Sequence, residues 1–127
     1  MTNYCKLIII IALLPIVLYS LSSESEAKRK NAMKTEFVIP QSGDSINDEL
    51  VMKIHVSINE IKADDNTSSW RVEYHACGKK VAEGDSIEKV IRVPTSDFDE
   101  GRCLVVVNVM DEKYNLGIAT RYVTIVK

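Results

Sequence analysis

Residues 101–127 read Gly101-Arg102-Cys103-Leu104-Val105-Val106-Val107-Asn108-Val109-Met110, then Asp111-Glu112-Lys113-Tyr114-Asn115-Leu116-Gly117, then Ile118-Ala119-Thr120-Arg121-Tyr122-Val123-Thr124-Ile125-Val126-Lys127. Two β-branched runs around a polar connector ending in glycine predict a β-hairpin. Cys103, Val105, Val107 and Val109 share one face of the first run, and Ala119, Val123 and Ile125 share a face of the second. A two-stranded ribbon with an apolar side is marginal in water, so the preceding chain must supply strands that cover it.

Working back from the hairpin, residues 95–100 read as a loop that tucks Phe98 inward. Residues 87–93 read as a strand stopped at Pro94, and residues 81–83 as a brief strand between the turns at 77–80 and Gly84-Asp85. Trp70, Val72, Tyr74 and Ala76 alternate with Arg71, Glu73 and His75, which is the period of a half-buried strand. The same period runs from 49 to 60, with Leu50, Met52, Ile54, Val56 and Ile58 on one face and Lys53, His55, Ser57 and Asn59 on the other. Residues 62–69 form a polar loop. Residues 36–40 read as an edge-type strand closed by Pro40, followed by a turn-rich stretch over 41–45. Roughly seven short strands with no helical period predict one all-β, Greek-key sandwich over residues 36–127; a small closed barrel is the alternative.

The chain has 127 residues, room for one domain. Residues 7–21 are almost wholly apolar behind a single charged residue, Lys6, and Ser25-Glu26-Ala27 places small residues where a signal peptidase reads. Residues 1–27 therefore read as a signal peptide, residues 28–35 as a flexible lead-in, and the protein as secreted, lumenal or displayed at the cell surface. The alternative is an uncleaved single-pass anchor, which the basic Lys28-Arg29-Lys30 would orient toward the cytosol. Membrane association follows only if residues 7–21 are retained.

Removing residues 1–27 takes away one lysine and two glutamates and moves the formal charge from −2 to −1. A nearly neutral domain without a basic stripe makes nucleic acid a poor partner. The same cut removes Cys5 and leaves Cys77 and Cys103, which read as one disulfide in an exported domain; a reduced, buried pair is the alternative.

Catalytic and metal chemistry find little footing. His55 and His75 each fall on the polar face of their own strand, and no serine or cysteine stands in a nucleophile motif. The acidic stretches 64–66, 97–100 and 111–112 lack the ligand spacing of a calcium loop, so no cofactor or metal is expected. Asn66-Thr67-Ser68 is a glycosylation sequon in a polar loop. Tyr114 and Leu116, at the hairpin tip, are the candidate contact residues, since aromatic side chains favour interfaces.

With Trp70 opening the third strand and Asp99-Glu100-Gly101 leading into a strand with Cys103 near its start, the chain resembles an immunoglobulin-like sandwich. The second strand carries no cysteine, which excludes the usual bridge between sheets. In such a sandwich the Trp70 and Cys103 strands are antiparallel neighbours, so the resemblance implies that Cys77 and Cys103 meet across adjacent strands of one sheet. Ile39-Pro40, the Gly84 turn leading to Val90-Ile91-Arg92-Val93-Pro94, and Gly101 with residues 105–111 also resemble the ML lipid-recognition family, which implies an apolar ligand between the sheets. The expected function is thus a non-enzymatic binding module. It recognises a protein or glycan through the loops 62–69, 95–100 and 111–117; the alternative is a lipid held in the core.

Overall fold

The computed structural model describes residues 33–127, and the signal-peptide and anchor expectations fall outside them. Nine strands build two sheets: β1 (Met33–Ile39), β2 (Ser45–Ile46), β3 (Glu49–Ile58), β4 (Ile61–Lys62), β5 (Arg71–Ala76), β6 (Lys79–Gly84), β7 (Ile91–Pro94), β8 (Gly101–Met110) and β9 (Leu116–Ile125). In the first sheet β3 pairs antiparallel with β1, β4 and β7. In the second the order is β2-β9-β8-β5-β6. The two strands beyond the seven expected are β2 and β4, each only two residues long.

The alternating residues point as their period requires. Leu50, Met52, Ile54 and Val56 from β3 meet Trp70 and the Val72, Tyr74 and Ala76 face of β5 in one buried cluster. Cys103, Val105, Val107 and Val109 of β8 and Ala119, Val123 and Ile125 of β9 complete it. Phe98 is buried as expected, held by a 3-10 turn (Thr95–Asp97) whose Thr95 hydroxyl donates to the Asn47 carbonyl at 2.6 Å. Ser57 was expected outside and is buried.

β6 and β9 start two residues earlier than expected, at Lys79 and Leu116, and three other differences have local reasons. β1 starts at Met33 rather than at 36, because residues 33–35 pair with 56–58 of β3, so the last part of the expected lead-in is strand. The turn-rich stretch after Pro40 carries the chain from one sheet to the other. Gly43 N–H donates to Tyr122 O, and Ser45 and Ile46 then lie parallel to Thr124 and Ile125 of β9. The strand expected over 87–93 is reduced to β7. Upstream, Asp65 accepts from the Ser86 hydroxyl (2.8 Å) and the Ile87 N–H (2.7 Å), and Ser86 Oγ accepts from the Glu88 and Lys89 amides. Those amides are spent on a side-chain-capped bend and cannot join a ladder.

Two hairpins close through two-residue turns with left-handed backbone at both positions: Asn59-Glu60 between β3 and β4, and Cys77-Gly78 between β5 and β6. These are the turns whose twist suits flanking strands. At the second, φ of +53° breaks the alternation after Ala76, and Cys77 forms a disulfide with Cys103 on β8, with a Cα–Cα distance of 4.7 Å. The Cys77 N–H also donates to Leu104 O at 3.0 Å. The bridge spans 26 residues, a closure that stabilises by about 3 kcal/mol.

At the start of β9 the two sheets approach closely. A Cβ on Gly117 would lie 2.3 Å from Thr35 Oγ1 and 2.9 Å from Met33 Sδ of β1. Gly117→Ala is therefore expected to destabilise by about 1–3 kcal/mol through overpacking. Equilibrium denaturation at unchanged m-value measures this, and an unaltered midpoint would show that β1 gives way freely.

The Tyr74 hydroxyl is buried with no hydrogen-bond partner among the described residues. Burial pushes its pKa from 10.0 up to about 12. A raised folded-state value means that this contribution to stability is complete below pH 10 and is lost as pH climbs from 10 through about 12. Tyr74→Phe is expected to leave stability at neutral pH equal or higher, by up to about 1 kcal/mol, and to flatten the alkaline fall. Thermal melts across alkaline pH test both, and a neutral-pH loss above about 1 kcal/mol would mean that the hydroxyl holds a stabilising bond.

Candidate functional site

The connections sort to the two ends of the sandwich. Residues 63–70, 85–90 and 111–115 gather at one end, because Asp65 binds Ser86 and Ile87 while Glu112 Oε1 accepts from Ser68 Oγ (3.2 Å) and Ser69 N–H (3.3 Å). The loop over 95–100 stands at the opposite end, against Asn47 and Asp48. Of the three loops expected to act together, the structure unites the first and third and separates the second. The hairpin geometry requires this: residues 111–115 follow β8, whereas 95–100 precede it.

Within the tip, Asp111 is the organiser. Its buried carboxylate accepts from the Lys113 and Asn115 N–H groups through Oδ1, and from Asn115 Nδ2 through Oδ2, each at 2.9 Å. Its carbonyl accepts from Tyr114 N–H at 3.0 Å. These bonds hold Tyr114 at a φ of +64°, a left-handed conformation that a tyrosine adopts at a cost of about 1–2 kcal/mol. The side chain projects into solvent, 82% exposed.

From that tip an apolar strip runs down the outer face of β9. Leu116, Ile118 and Tyr122 are 57%, 55% and 46% exposed, values too high for any of them to be core. Across the ladder they pair with Met110, Asn108 and Leu104 of β8. At the far end Arg102 stacks on Tyr122, its guanidinium carbon 4.0 Å from the ring centroid. There the face dips into an open recess of about 540 Å³ whose walls include Leu104, Tyr122, Phe98, Asp99, Glu100 and Lys79.

Tyr114 and Leu116 are both exposed at the hairpin tip, and Ile118 and Tyr122, which were not singled out in the sequence, are exposed further along β9. Their signal was present: Leu116, Ile118 and Tyr122 fall on the alternate positions of the same run whose other positions are core. Asn66 is exposed in the 63–70 loop, its N–H donating to Asp64 Oδ1. Asp64 also receives the Thr67 hydroxyl, so this acidic stretch shapes its own turn. Burial raises the Asp65 pKa, but the bonds from Ser86, Ile87 and Glu88 outweigh it and hold the carboxyl below its ordinary value. Among the described residues no group of three or more acidic, histidine or cysteine side chains is placed to hold a metal. His55 on β3 and His75 on β5 belong to opposite sheets, and His75 Nε2 lies 3.4 Å from Glu73 Oε1.

No family model matches the chain, and no curated protein matches it. Among solved structures it is similar to the fibronectin(III)-like modules of Clostridium thermocellum CbhA, at a TM-score of 0.53 and 10% identity over 72% of this chain and 93% of that chain. It is also similar to part of the endo-beta-1,4-mannanase from Thermotoga petrophila, at a TM-score of 0.55 and 9% identity over 75% of this chain and 20% of that chain. At such identities the likeness is one of fold. The domain is an all-β, immunoglobulin-like sandwich.

Replacing Tyr114 with glycine relieves the left-handed strain. The net gain in stability is expected to be about 0.5–1 kcal/mol, after the entropy that glycine adds to the unfolded chain. Chemical denaturation of Tyr114→Gly reads this directly, and a loss of stability would mean that the ring packs on the domain instead of projecting from it.

Proposed function

We propose that the domain is an exported, non-enzymatic binding module that grips a protein partner with the outer face of β9 and the tip over residues 111–115. The observation that carries the reading is the exposure of Leu116, Ile118 and Tyr122 on one face of β9, interrupted by the polar Thr120, with Tyr114 exposed at the adjoining tip. A folded domain seldom leaves large apolar side chains grouped at its surface unless something docks on them. Leu116 and Ile118 offer only methyl surface, which suits an apolar protein patch better than sugar hydroxyls that need paired acceptors and donors. The disulfide fits an oxidising compartment, and the Asn66 sequon in its exposed loop fits passage through a secretory pathway.

The second reading, an acyl chain between the sheets, meets a core already occupied. Leu50, Met52, Val56, Val105, Val107 and Val109 interlock there at 2% exposure or less, and a ligand would have to displace them.

The test is capture from the medium of the producing cells by the disulfide-bonded protein, followed by titration of whatever is retained. Joint Tyr114→Ala and Leu116→Ala replacement is expected to weaken that partner by about a hundredfold while leaving the melting temperature intact. A partner held equally well by the double variant places recognition elsewhere, and a co-extracted lipid would restore the core reading.

A further inference from the structure

In the other sheet, the edge of β3 that faces β4 and β7 is broken in its middle. The ladder to β7 ends at Met52↔Ile91, and the ladder to β4 begins only at Ser57↔Lys62, with one further bond from the Ala63 N–H to Val56 O. In an antiparallel strand alternate residues turn both main-chain groups toward the same edge. Val56 sets that parity, so Leu50 and Met52 face β7, Val56 and Ile58 face β4, and Ile54 between them faces no strand. Among the described residues neither the N–H nor the carbonyl of Ile54 has a partner on that edge, although the residue is only 5% exposed. An unpaired donor and acceptor side by side on a buried residue are uncommon in a folded domain. The gap stays open because Asp65 and Ser86 hold the amides of Ile87, Glu88 and Lys89 away from it.

The gap opens into a recess of about 290 Å³, where the buried Ala63 and Ile87 lie beside Ile54, and Lys53, His55, Lys62 and Glu88 stand around them. We infer that this recess takes the C-terminal end of an extended peptide. One extended residue offers an N–H and a C=O on the same side, which is the complement Ile54 lacks, whereas an acyl chain offers neither. A strand cannot run through the gap, because Ile91 closes one end of it and Ala63 the other, so only the end of a chain fits. The rim selects which end. Two lysines and a histidine stand against one glutamate there, and Glu88 Oε2 already accepts from the Asp65 N–H at 2.9 Å. Glu36, across the ladder from His55, is held by Lys34 at 3.4 Å, and neither Lys53 nor Lys62 has an ion-pair partner among the described residues. A terminal carboxylate accepts from the Ile54 N–H with one oxygen and turns the other toward the lysines, while the N–H of the same residue donates to Ile54 O. An ammonium end would meet those lysines as a like charge. Residues directly opposite on neighbouring strands share a face, so the last side chain turns inward with Ile54, toward Ala63 and Ile87, and a small apolar residue fits. This site lies on the first sheet and does not depend on the outer face of β9.

The experiment is a proton–nitrogen NMR titration of the labelled, disulfide-bonded protein with the tripeptide N-acetyl-Ala-Ala-Val bearing a free carboxyl, whose spectrum also reports folding. Saturable shifts of the Ile54 and Ala63 amide signals are expected, with a Kd on the order of 1 mM. The same tripeptide closed as its C-terminal amide is expected to bind at least about tenfold more weakly. Joint Lys53→Gln and Lys62→Gln replacement, at two exposed positions, is expected to weaken the acid about fivefold. Joint Tyr114→Ala and Leu116→Ala replacement is expected to leave it unchanged, which separates this site from the β9 face. An acid that moves no signal at Ile54 and Ala63 overturns the inference, as does one whose shifts gather on β9. Equal binding of acid and amide overturns the assignment to a chain end, and full affinity in the double lysine variant overturns the role of the rim.

Discussion

Antiparallel pairing of β5 with β8 is the constraint on which the rest depends. It sets Val72, Tyr74 and Ala76 opposite Val109, Val107 and Val105, so that two strands distant in sequence present one continuous inward face. The Cys77–Cys103 bond closes the base of that pair, and Trp70 closes its top by donating its indole N–H to Asp64 O at 2.9 Å. Slipping this register by one residue would turn each of those side chains to solvent, which is why the pairing is strongly specified. β9 and β6 flank this pair in the same sheet, and β3 packs against it across the core.

A rigid ladder also explains how a short tip can hold an unfavourable backbone. β8 and β9 are paired without interruption from Gly101↔Ile125 to Met110↔Leu116. The chain must therefore reverse within residues 111–115. The buried Asp111 carboxylate absorbs the unpaired amides of that reversal and leaves Tyr114 as the residue pushed outward. The local cost is borne by the sandwich as a whole, and the result is an aromatic residue held at a fixed backbone position with its side chain in solvent.

The second sheet has two unlike faces for the same reason. Residues of β9 alternate between a buried set and an exposed set, and in this chain the exposed set includes large apolar side chains. Arg121 interrupts the buried set. Its guanidinium reaches the Phe37 carbonyl of β1 at 3.3 Å, tying the two sheets together where an aliphatic side chain would have packed. Arg102, on the outer face, instead sits over the Tyr122 ring and borders the recess with Lys79 and the acidic pair. Fibronectin(III)-like modules share the scaffold, yet the features that give this face its character are side-chain choices the fold leaves free.

Period-two alternation over residues 49–58, 70–76 and 101–125 was enough to determine the strands, their inward faces and the sandwich class, because one face of each strand must leave water whatever its neighbours are. The pairing of Cys77 with Cys103 was likewise legible once the strand order was assigned. Other features depended on partners far away in sequence. The bend over 85–90 exists because Asp65 intercepts its amides, and β2 exists because the outer edge of β9 stood open to a parallel neighbour. The parting of the 95–100 loop from the other two follows from which end of β8 each one joins. That Leu116, Ile118 and Tyr122 form a single uncovered surface was a tertiary outcome too: an apolar residue on a strand is core or contact according to whether another layer covers it, and only the packed sheets leave that side bare.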